Sequence, residues 1–248
     1  MSETYVTPDQ VSRLEASAVV RDQRTGEWAP CFRDQLLIRL LFRLGCRVSE
    51  ALGIEVEDID FNKGQVRIQH LKVLVAVYCP QCGQRLSKRH AFCPGCGARV
   101  EKAVSRELER RKFRLVPLDR DTMDMIRGYL DAGGPVDRNG KQVLFGVSRH
   151  RAWQIVRQAA ARAGLPRLVN SESGREHGVS PHRLRDAFAT HAASVDGSTD
   201  GMRALQEQLG HANFNTTMRY KKVSGREQGE WYRKLWQGNA DDHGTGEH

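Results

Sequence analysis

The stretch that decides the fold is LGHANFNTTMRY, from Leu209 to Tyr220. Leu205 and Leu209 form an i,i+4 pair that predicts the buried face of a helix, and Gly210 is placed to end that helix. His211 follows directly, and a further short helix, capped by Asn215, is expected to carry Tyr220 in its second turn. The spacing therefore predicts a small capped unit that presents a histidine and a tyrosine together.

A second informative stretch is SPHRLRDAFATHA, at residues 180–192. Its serine and proline predict an N-cap and a first helical position, which puts His182 and Arg185 in the opening turn, three residues apart on one face. Free amides at a helix start attract phosphate. We expect the opposite stripe of this helix, which includes His191, to face the core.

A third stretch, GCRVSE, contains Arg47. The preceding helix, expected from Phe32 to Leu44, ends at a glycine, and Ser49 is expected to cap the next helix. Arg47 would then project from a rigid corner, as suits a guanidinium that binds two phosphate oxygens. Glu50 is expected to support either Arg47 or the dipole of the next helix, and not to act in catalysis.

Together these side chains can act on a phosphodiester without a metal. Guanidinium groups can hold the phosphate, histidines can move protons, and a phenol can serve as the nucleophile. Any one of these residues alone would more simply be a surface charge or a packed ring. The prediction depends on their occurring as a set.

Four cysteines follow the pattern C-x2-C-x10-C-x2-C, with a glycine after each second cysteine. Four thiolates at this spacing favour a closed tetrahedral zinc site that stabilises the fold and performs no chemistry. Recurring free cysteines and a redox C-x-x-C pair are the alternatives. The predicted ligands are Cys79, Cys82, Cys93 and Cys96.

The composition favours a polyanionic partner. The formal net charge is +9 and the isoelectric point is near 9.5, which suits nucleic acid. No segment is apolar and long enough to span a bilayer, and the N-terminus does not resemble a secretion signal. We therefore expect a cytoplasmic protein. The run RELERRKFR, Arg106 to Arg114, is a candidate DNA-binding surface, with a solvated strand as the alternative.

The remaining chain divides into a strand-rich middle and helical flanks. Strand-like alternation is expected between about Asp58 and Leu118, and helices from about Asp121 onward. Thr7 and Pro8 predict an N-cap and a first helical position for a helix near the start of the chain. Residues 21–30 are predicted to form a loop. Near the C-terminus, Trp231, Leu235 and Trp236 fall at helical spacing.

The three motifs GCRVSEALG, SPHRLRDAFATHA and LQEQLGHANFNTTMRY resemble those of the tyrosine recombinases, the phage-integrase superfamily, over about residues 5–225. The resemblance implies an α+β fold: a mostly helical catalytic domain over residues 1–248 with a small antiparallel sheet. The four-cysteine zinc ribbon, at about 77–104, is expected as an insertion in this domain. A tail helix at about 224–237 is expected to pack either on its own domain or, as in relatives, on the next subunit. The N-terminal core-binding domain of the family is expected to be absent.

The resemblance also implies roles for individual residues. Arg47 and Arg185 resemble the arginines that bind the scissile phosphate, and Tyr220 resembles the nucleophile. His182 resembles the histidine that handles protons, and His211 the one that hydrogen-bonds the phosphate. The general acid is expected to be Lys72, with these alternatives: Lys88, Lys102, Lys112 and His70. Asp186 stands where the family often has a histidine, and is expected to do no chemistry.

The implied activity is site-specific recombination of double-stranded DNA through a 3′-phosphotyrosyl intermediate, without ATP or a catalytic metal. A homo-oligomer, a tetramer on DNA, and association with the nucleoid are expected with it. Two alternatives stay open: DNA relaxation of the type IB topoisomerase kind, and a non-catalytic DNA-binding module.

Overall fold

The computed structural model describes residues 4–70, 74–87, 90–100, 104–108, 112–169 and 173–223. It separates into two units, a larger one formed by Met1–Ile68 with Arg114–His248, and a smaller one formed by Gln69–Phe113. The predicted tail helix at 224–237 lies outside the described residues.

Helices dominate the larger unit. The first helix begins as predicted: Thr7 accepts a hydrogen bond from the backbone N–H of Gln10, Pro8 occupies the first turn, and Val11 and Leu14 are buried. The described helices are α1 (Pro8–Ala16), α2 (Phe32–Arg43), α3 (Val48–Ala51), α4 (Arg120–Asp131), α5 (Arg149–Arg162), α6 (Pro181–Val195), α7 (Thr199–Leu209) and α8 (Phe214–Val223).

The core of this unit forms around α2, which packs against α1, α3, α4, α5 and α6. Leu36, Leu37, Ile38, Leu40 and Leu41 of α2 are all fully buried. Removal of these five large apolar side chains from water makes α2 the centre of the hydrophobic stabilisation. The fold class predicted from the sequence, mostly helical with small antiparallel sheets, is confirmed.

Short strands connect the helices. In one three-stranded sheet, β3 (Ile59–Asp60) and β8 (Lys112–Pro117) lie on either side of β4 (Gln65–His70). The predicted loop at residues 21–30 is wrong in part, because β1 (Val19–Arg21) and β2 (Trp28–Pro30) pair as an antiparallel hairpin. Two further hairpins are β9 (Val136–Arg138) with β10 (Lys141–Val143), and β11 (Leu168–Val169) with β12 (Glu176–His177).

The smaller unit is an antiparallel sheet with a cysteine cluster. Its strands are β5 (Leu74–Tyr78), β6 (Arg85–Leu86) and β7 (Val104–Leu108), in the order β6-β5-β7. Tyr78 pairs with Val104 at one end of the β5–β7 ladder. Cys79 follows β5 directly, so the pairing of β5 with β7 fixes the backbone position of the first cysteine.

Helix α6 buries a face that rotates along its length. Leu184 and Ala187 belong to the main core, whereas Ala189 and Ala193 pack in a second cluster with α7. The burial of His191 predicted above is therefore wrong, and its side chain is exposed. A single stripe at i,i+3,i+7 does not describe a helix that contacts two clusters in succession.

Within the part of the chain that the structure describes, every helix is too short or too polar to cross a lipid bilayer.

Candidate active site

The first turn of α6, the end of α7 and the helix α8 border one cleft of about 380 Å³ in the larger unit. Five of the six residues predicted to act on a phosphodiester line it, together with others that the sequence did not single out. The five are Arg47, His182, Arg185, His211 and Tyr220. Residues separated by up to 173 positions in sequence thus meet around one space large enough for a phosphate and its flanking sugars.

Arg185 connects the three motifs. Its guanidinium is buried, and two of its nitrogens donate to the carbonyl of Gly45 at 2.7 Å and to the carbonyl of Leu209 at 2.8 Å. The first carbonyl precedes the corner that carries Arg47, and the second precedes His211. Burial, and next the charge of Arg47, lower the pKa of Arg185, but a guanidinium remains charged at neutral pH.

The corner at Gly45 is tightly packed. Gly45 has a φ of +56°, and a Cβ at this position would overlap the ring of Phe188 on α6. Glycine is therefore required both for the left-handed backbone conformation and for the close approach of the two segments.

Arg47 is held by a buried carboxylate. Glu50 is 3% exposed; its Oε1 accepts from Nη1 of Arg47 at 2.9 Å, and its Oε2 accepts from the Arg47 backbone at 2.9 Å. Arg114 donates to the same Oε2 at 2.8 Å. Burial opposes ionisation, but the hydrogen bond and charge of Arg114, followed by the bonds from Arg47, lower the pKa of Glu50 to about 2. The expected support of Arg47 by Glu50 is confirmed.

Arg114 joins this network to the end of α7. Its Nε donates to the carbonyl of Gln208 at 2.6 Å, and its side chain is only 13% exposed. The prediction that the run ending at Arg114 forms a DNA-binding surface is therefore wrong for Arg114 itself. The network Arg47–Glu50–Arg114 instead fixes the Arg47 corner relative to His211.

His211 is an uncharged ring at neutral pH. Burial, and then the positive charges of Arg185, Arg47 and Arg114, lower its pKa to about 4. Its Nδ1 lies 3.0 Å from the hydroxyl of the fully buried Thr217. When the Thr217 hydroxyl donates to Nδ1, the proton of the ring is on Nε2 and is available as a donor.

Tyr220 lies beside His211, and its hydroxyl is hydrogen-bonded. The two rings are nearly parallel, at 13°, with centroids 6.3 Å apart. The phenol donates to Oδ1 of Asp186 at 3.0 Å. Burial first, and then the negative charge of Asp186, raise the pKa of Tyr220 above its usual range.

His182 is the most accessible of the five side chains, with 74% of its side chain exposed. Its Nε2 lies 3.9 Å from Oδ2 of Asp186, which is too long for a hydrogen bond but close enough for an ion pair when the ring is protonated. Sequence reasoning gave Asp186 no chemical part, yet it contacts the candidate nucleophile. Nothing in the local sequence signals this contact, because the two residues are 34 positions apart.

The predicted general acid, Lys72, lies outside the described residues, as do the alternatives Lys88 and Lys102. The other two candidates, His70 and Lys112, fall on β4 and β8.

Two of the helix N-caps differ from those predicted. Arg47, in place of Ser49, occupies the N-cap of α3, and Asn213, in place of Asn215, accepts a backbone hydrogen bond at the start of α8.

The four cysteines of the smaller unit converge on one point. All four sulfur atoms lie within 4.8 Å of one another, with Cys79 3.7 Å from Cys96 and Cys82 3.5 Å from Cys93. In a tetrahedral zinc site with Zn–S bonds of about 2.3 Å, sulfurs would be about 3.8 Å apart. Against the opposing effect of burial, backbone N–H groups lower the pKa of Cys93 to about 7. Against the backbone hydrogen bond at Gln84, the neighbouring thiols of Cys96 and Cys93 raise the pKa of Cys82 to about 12. The positions of the four sulfurs therefore give the cluster the geometry of a site that could bind zinc.

Comparison with models of known families matches residues 5–227 to the phage integrase family. The chain belongs to this family. Membership in the phage integrase family agrees with the order of the motifs, which runs from the Arg47 corner through His182 and Arg185 to His211 and Tyr220.

Curated relatives of this phage integrase family member are tyrosine recombinases. The tyrosine recombinase XerD of Neisseria meningitidis serogroup B is 30% identical over 229 residues, which cover 89% of this chain and 59% of the relative. XerD of Bifidobacterium longum is 30% identical over 220 residues, 88% of this chain and 58% of the relative. The chain thus spans about three-fifths of the length of these relatives.

Solved structures show the same fold at lower identity. The crystal structure of the XerA recombinase aligns with a TM-score of 0.59 and 20% identity, over 95% of this chain and 64% of that one. The XerH site-specific recombinase bound to palindromic difH substrate aligns with a TM-score of 0.58 and 19% identity, over 96% of this chain and 54% of that one.

Proposed function

We propose that this chain cleaves and rejoins duplex DNA at specific sites through a 3′-phosphotyrosyl intermediate. One observation carries the proposal: two arginines, two histidines and a tyrosine line a single cleft of about 380 Å³. The relatives named tyrosine recombinases support the same reaction.

In this reaction Arg47 and Arg185 would hold the non-bridging oxygens of the scissile phosphate. Both are anchored before DNA arrives, Arg47 by Glu50 and Arg185 by two backbone carbonyls. Donors that are fixed in advance stabilise the charge of a transition state without reorganising, which is typically the largest contribution to such catalysis. Neutral His211 would donate a further hydrogen bond from Nε2.

Tyr220 would attack phosphorus and release a 5′ hydroxyl. The covalent phosphotyrosyl bond conserves the energy of the phosphodiester, so that rejoining to another strand needs neither ATP nor a catalytic metal. We assign proton handling to His182, and protonation of the departing 5′ oxygen to Lys72 on the basis of the family resemblance.

The basic helix α5 supports binding to DNA. This helix contains four arginines and no acidic residue. Trp153 is 44% exposed on it, with the guanidinium of Arg157 over its ring at 5.2 Å and the ring of His150 stacked at 6.2 Å. Such a surface neutralises phosphates and presents an aromatic contact, a combination that suits nucleic acid.

We further propose that the four-cysteine unit binds one structural zinc ion. Cys79, Cys82, Cys93 and Cys96 supply all four ligands of a closed site. Gly83 and Gly97 follow the second cysteine of each pair with φ of +70° and +72°, and their amides donate to the carbonyls of Cys79 and Cys93. These matched turns support a site that is formed for a metal and takes no part in the DNA reaction.

Exchange of strands between two duplexes requires four cuts, and this chain offers one candidate nucleophile, so we propose a tetramer on DNA. Relaxation by a single copy, as in type IB topoisomerases, would use the same covalent step. Exchange of strands between two DNA sites would show recombination, whereas relaxation of a supercoiled plasmid without such exchange would show topoisomerase activity.

A nicked DNA suicide substrate tests the covalent step. Cleavage beside the nick releases a short fragment that carries the 5′ hydroxyl, and once this fragment has diffused away the strand cannot be rejoined. The unaltered chain should accumulate an adduct that survives a denaturing gel, whereas Tyr220→Phe should bind the same DNA and form none. Tyr129→Phe is a matched control, since that hydroxyl bonds to the carbonyl of Gly134 away from the cleft. An undiminished adduct with Tyr220→Phe would refute the proposal.

A further inference from the structure

The two carboxylate oxygens of Asp186 have separate partners. Oδ1 accepts the hydroxyl of Tyr220 at 3.0 Å, and Oδ2 accepts Nη1 of Arg183 at 3.1 Å. The side chain is 19% exposed, at the edge of the cleft. Arg183 thus fixes one oxygen while the other faces the phenol.

We propose that Asp186 is a catalytic residue that accepts the phenolic proton of Tyr220 during attack on phosphorus and returns it during rejoining. The inference rests on the proposed covalent function and deepens it, because the resemblance to tyrosine recombinases gives no chemical part to this position.

The surrounding charges favour this assignment. Arg185 and Arg219 stabilise negative charge on the Tyr220 oxygen, since each acts to lower the pKa of the phenol, while the two histidines are less well placed to accept its proton. His211 has Nδ1 beside the Thr217 hydroxyl, and protonation of its ring is opposed by the neighbouring arginines. Nε2 of His182 lies 3.9 Å from Oδ2 of Asp186, which is not the oxygen that accepts the phenol. The carboxylate is therefore the group in hydrogen-bond contact with the phenol, and the solvent-exposed imidazole is near its other oxygen.

Attack by Tyr220 moves one proton to Asp186 and another to the departing 5′ oxygen. The Tyr220 oxygen forms a bond to phosphorus, the bond from phosphorus to the 5′ oxygen breaks, and the phenolic proton passes to Oδ1 of Asp186. The 5′ oxygen takes a proton from the general acid, which we assign to Lys72. In rejoining, the 5′ hydroxyl returns its proton to that acid and attacks phosphorus, while Asp186 returns its proton to the departing phenol.

The acid strengths of the two groups set the timing. In general a carboxylate is a much weaker base than a phenolate, since the reference pKa values of the two kinds of group are about 3.9 and about 10. Transfer before attack is thus unfavourable, and the raised pKa of Tyr220 keeps the phenol protonated in the free protein. As the oxygen–phosphorus bond forms, the phenolic proton becomes acidic, and an acceptor already in hydrogen-bond contact takes it in the same step.

Asp186→Asn keeps the shape of the side chain but cannot accept a proton. On the nicked substrate it should bind DNA as the unaltered chain does and form the adduct about 10²-fold to 10⁴-fold more slowly. Asp200→Asn is the matched control, because the side chain of Asp200 is 95% exposed and lies on α7 away from the cleft. Its rate should equal that of the unaltered chain.

Two chemical substitutions separate proton acceptance from a structural contact. Fluorinated tyrosine at position 220 has a more acidic phenol and depends less on a proton acceptor. The factor by which Asp186→Asn slows adduct formation should therefore become at least tenfold smaller. Sulfur in place of the 5′ bridging oxygen removes the need for a general acid, so with that substrate the loss should persist. The proposal is overturned if the rate reduction in Asp186→Asn is the same with fluorinated Tyr220. It is also overturned if that reduction disappears with the substrate that carries the 5′ bridging sulfur.

A titration and a second variant complete the test. The ¹⁹F NMR signal of fluorotyrosine at 220 should report a lower phenol pKa in Asp186→Asn than in the unaltered chain, and an unchanged pKa overturns the proposal.

Asp186→His, whose imidazole can accept a proton, should form the adduct at a rate within about tenfold of that of the unaltered chain. If it folds and binds DNA but reacts more than 10²-fold slower, the proposal is contradicted. No adduct from the unaltered chain overturns the covalent function itself, whereas an adduct that forms at full rate in Asp186→Asn overturns this inference alone.

Discussion

Replacing Glu50 with glutamine removes the buried charge that holds Arg47 and Arg114. The pKa of Glu50 falls from 4.5 to about 2 on folding, and a change of that size corresponds to about 3 kcal/mol of stability. Because the folded-state pKa is the lower one, this stabilisation is complete above about pH 5 and is lost as the pH falls toward 2. Glu50→Gln should therefore lower the free energy of unfolding by about 3 kcal/mol at pH 7 and by about 1 kcal/mol at pH 3.

Urea denaturation followed by circular dichroism at several pH values between 3 and 7 measures this difference. Glu27→Gln is the matched control, since Glu27 is exposed in the β1–β2 hairpin and its replacement should change stability by less than about 0.5 kcal/mol. The adduct rate of Glu50→Gln should fall as well, because Arg47 loses its anchor. A destabilisation that is equally large at pH 3 and pH 7 would contradict the assigned charge network.

Three further predictions concern separate parts of the protein. Arg185→Lys should slow adduct formation by about 10²-fold to 10³-fold in single-turnover assays, because one ammonium cannot bind both carbonyls and the phosphate; a rate within tenfold of normal contradicts this. Arg157→Ala should reduce the slope of log affinity against log salt by about 0.9, measured by fluorescence anisotropy, and an unchanged slope would exclude a phosphate contact. Elemental analysis should find about one zinc ion per unaltered chain and none in Cys93→Ser. Purified unaltered protein that contains no zinc would contradict the metal proposal.

Sequence reasoning predicted the parts of this protein that depend on local rules. Thr7 and Pro8 begin α1, and Gly210 ends α7 with a φ of +66°, because capping and glycine chemistry act within a few residues. The paired cysteines were likewise recognisable from spacing alone. The order of the three motifs predicts that Arg47, Arg185 and Tyr220 act together, and all three line one cleft, although no single motif places its residue there.

The parts that sequence reasoning missed depend on contacts between distant segments. Arg114 was assigned to a surface because its neighbours in sequence are charged, but it binds Glu50, which is 64 positions away. Asp186 gained its contact with Tyr220 only when α6 and α8 packed together. His191 was misplaced because the buried face of α6 rotates between two hydrophobic clusters. In each case tertiary packing decides, and a pattern along one element does not contain that information.

The central claim is that Tyr220 is the nucleophile in a cleft that holds one phosphate. Digesting the trapped DNA adduct with a protease and sequencing the linked peptide by mass spectrometry tests this claim most directly. The account predicts a single linkage, from the Tyr220 oxygen to a 3′ phosphate. A linkage at another residue, or to a 5′ phosphate, would contradict it.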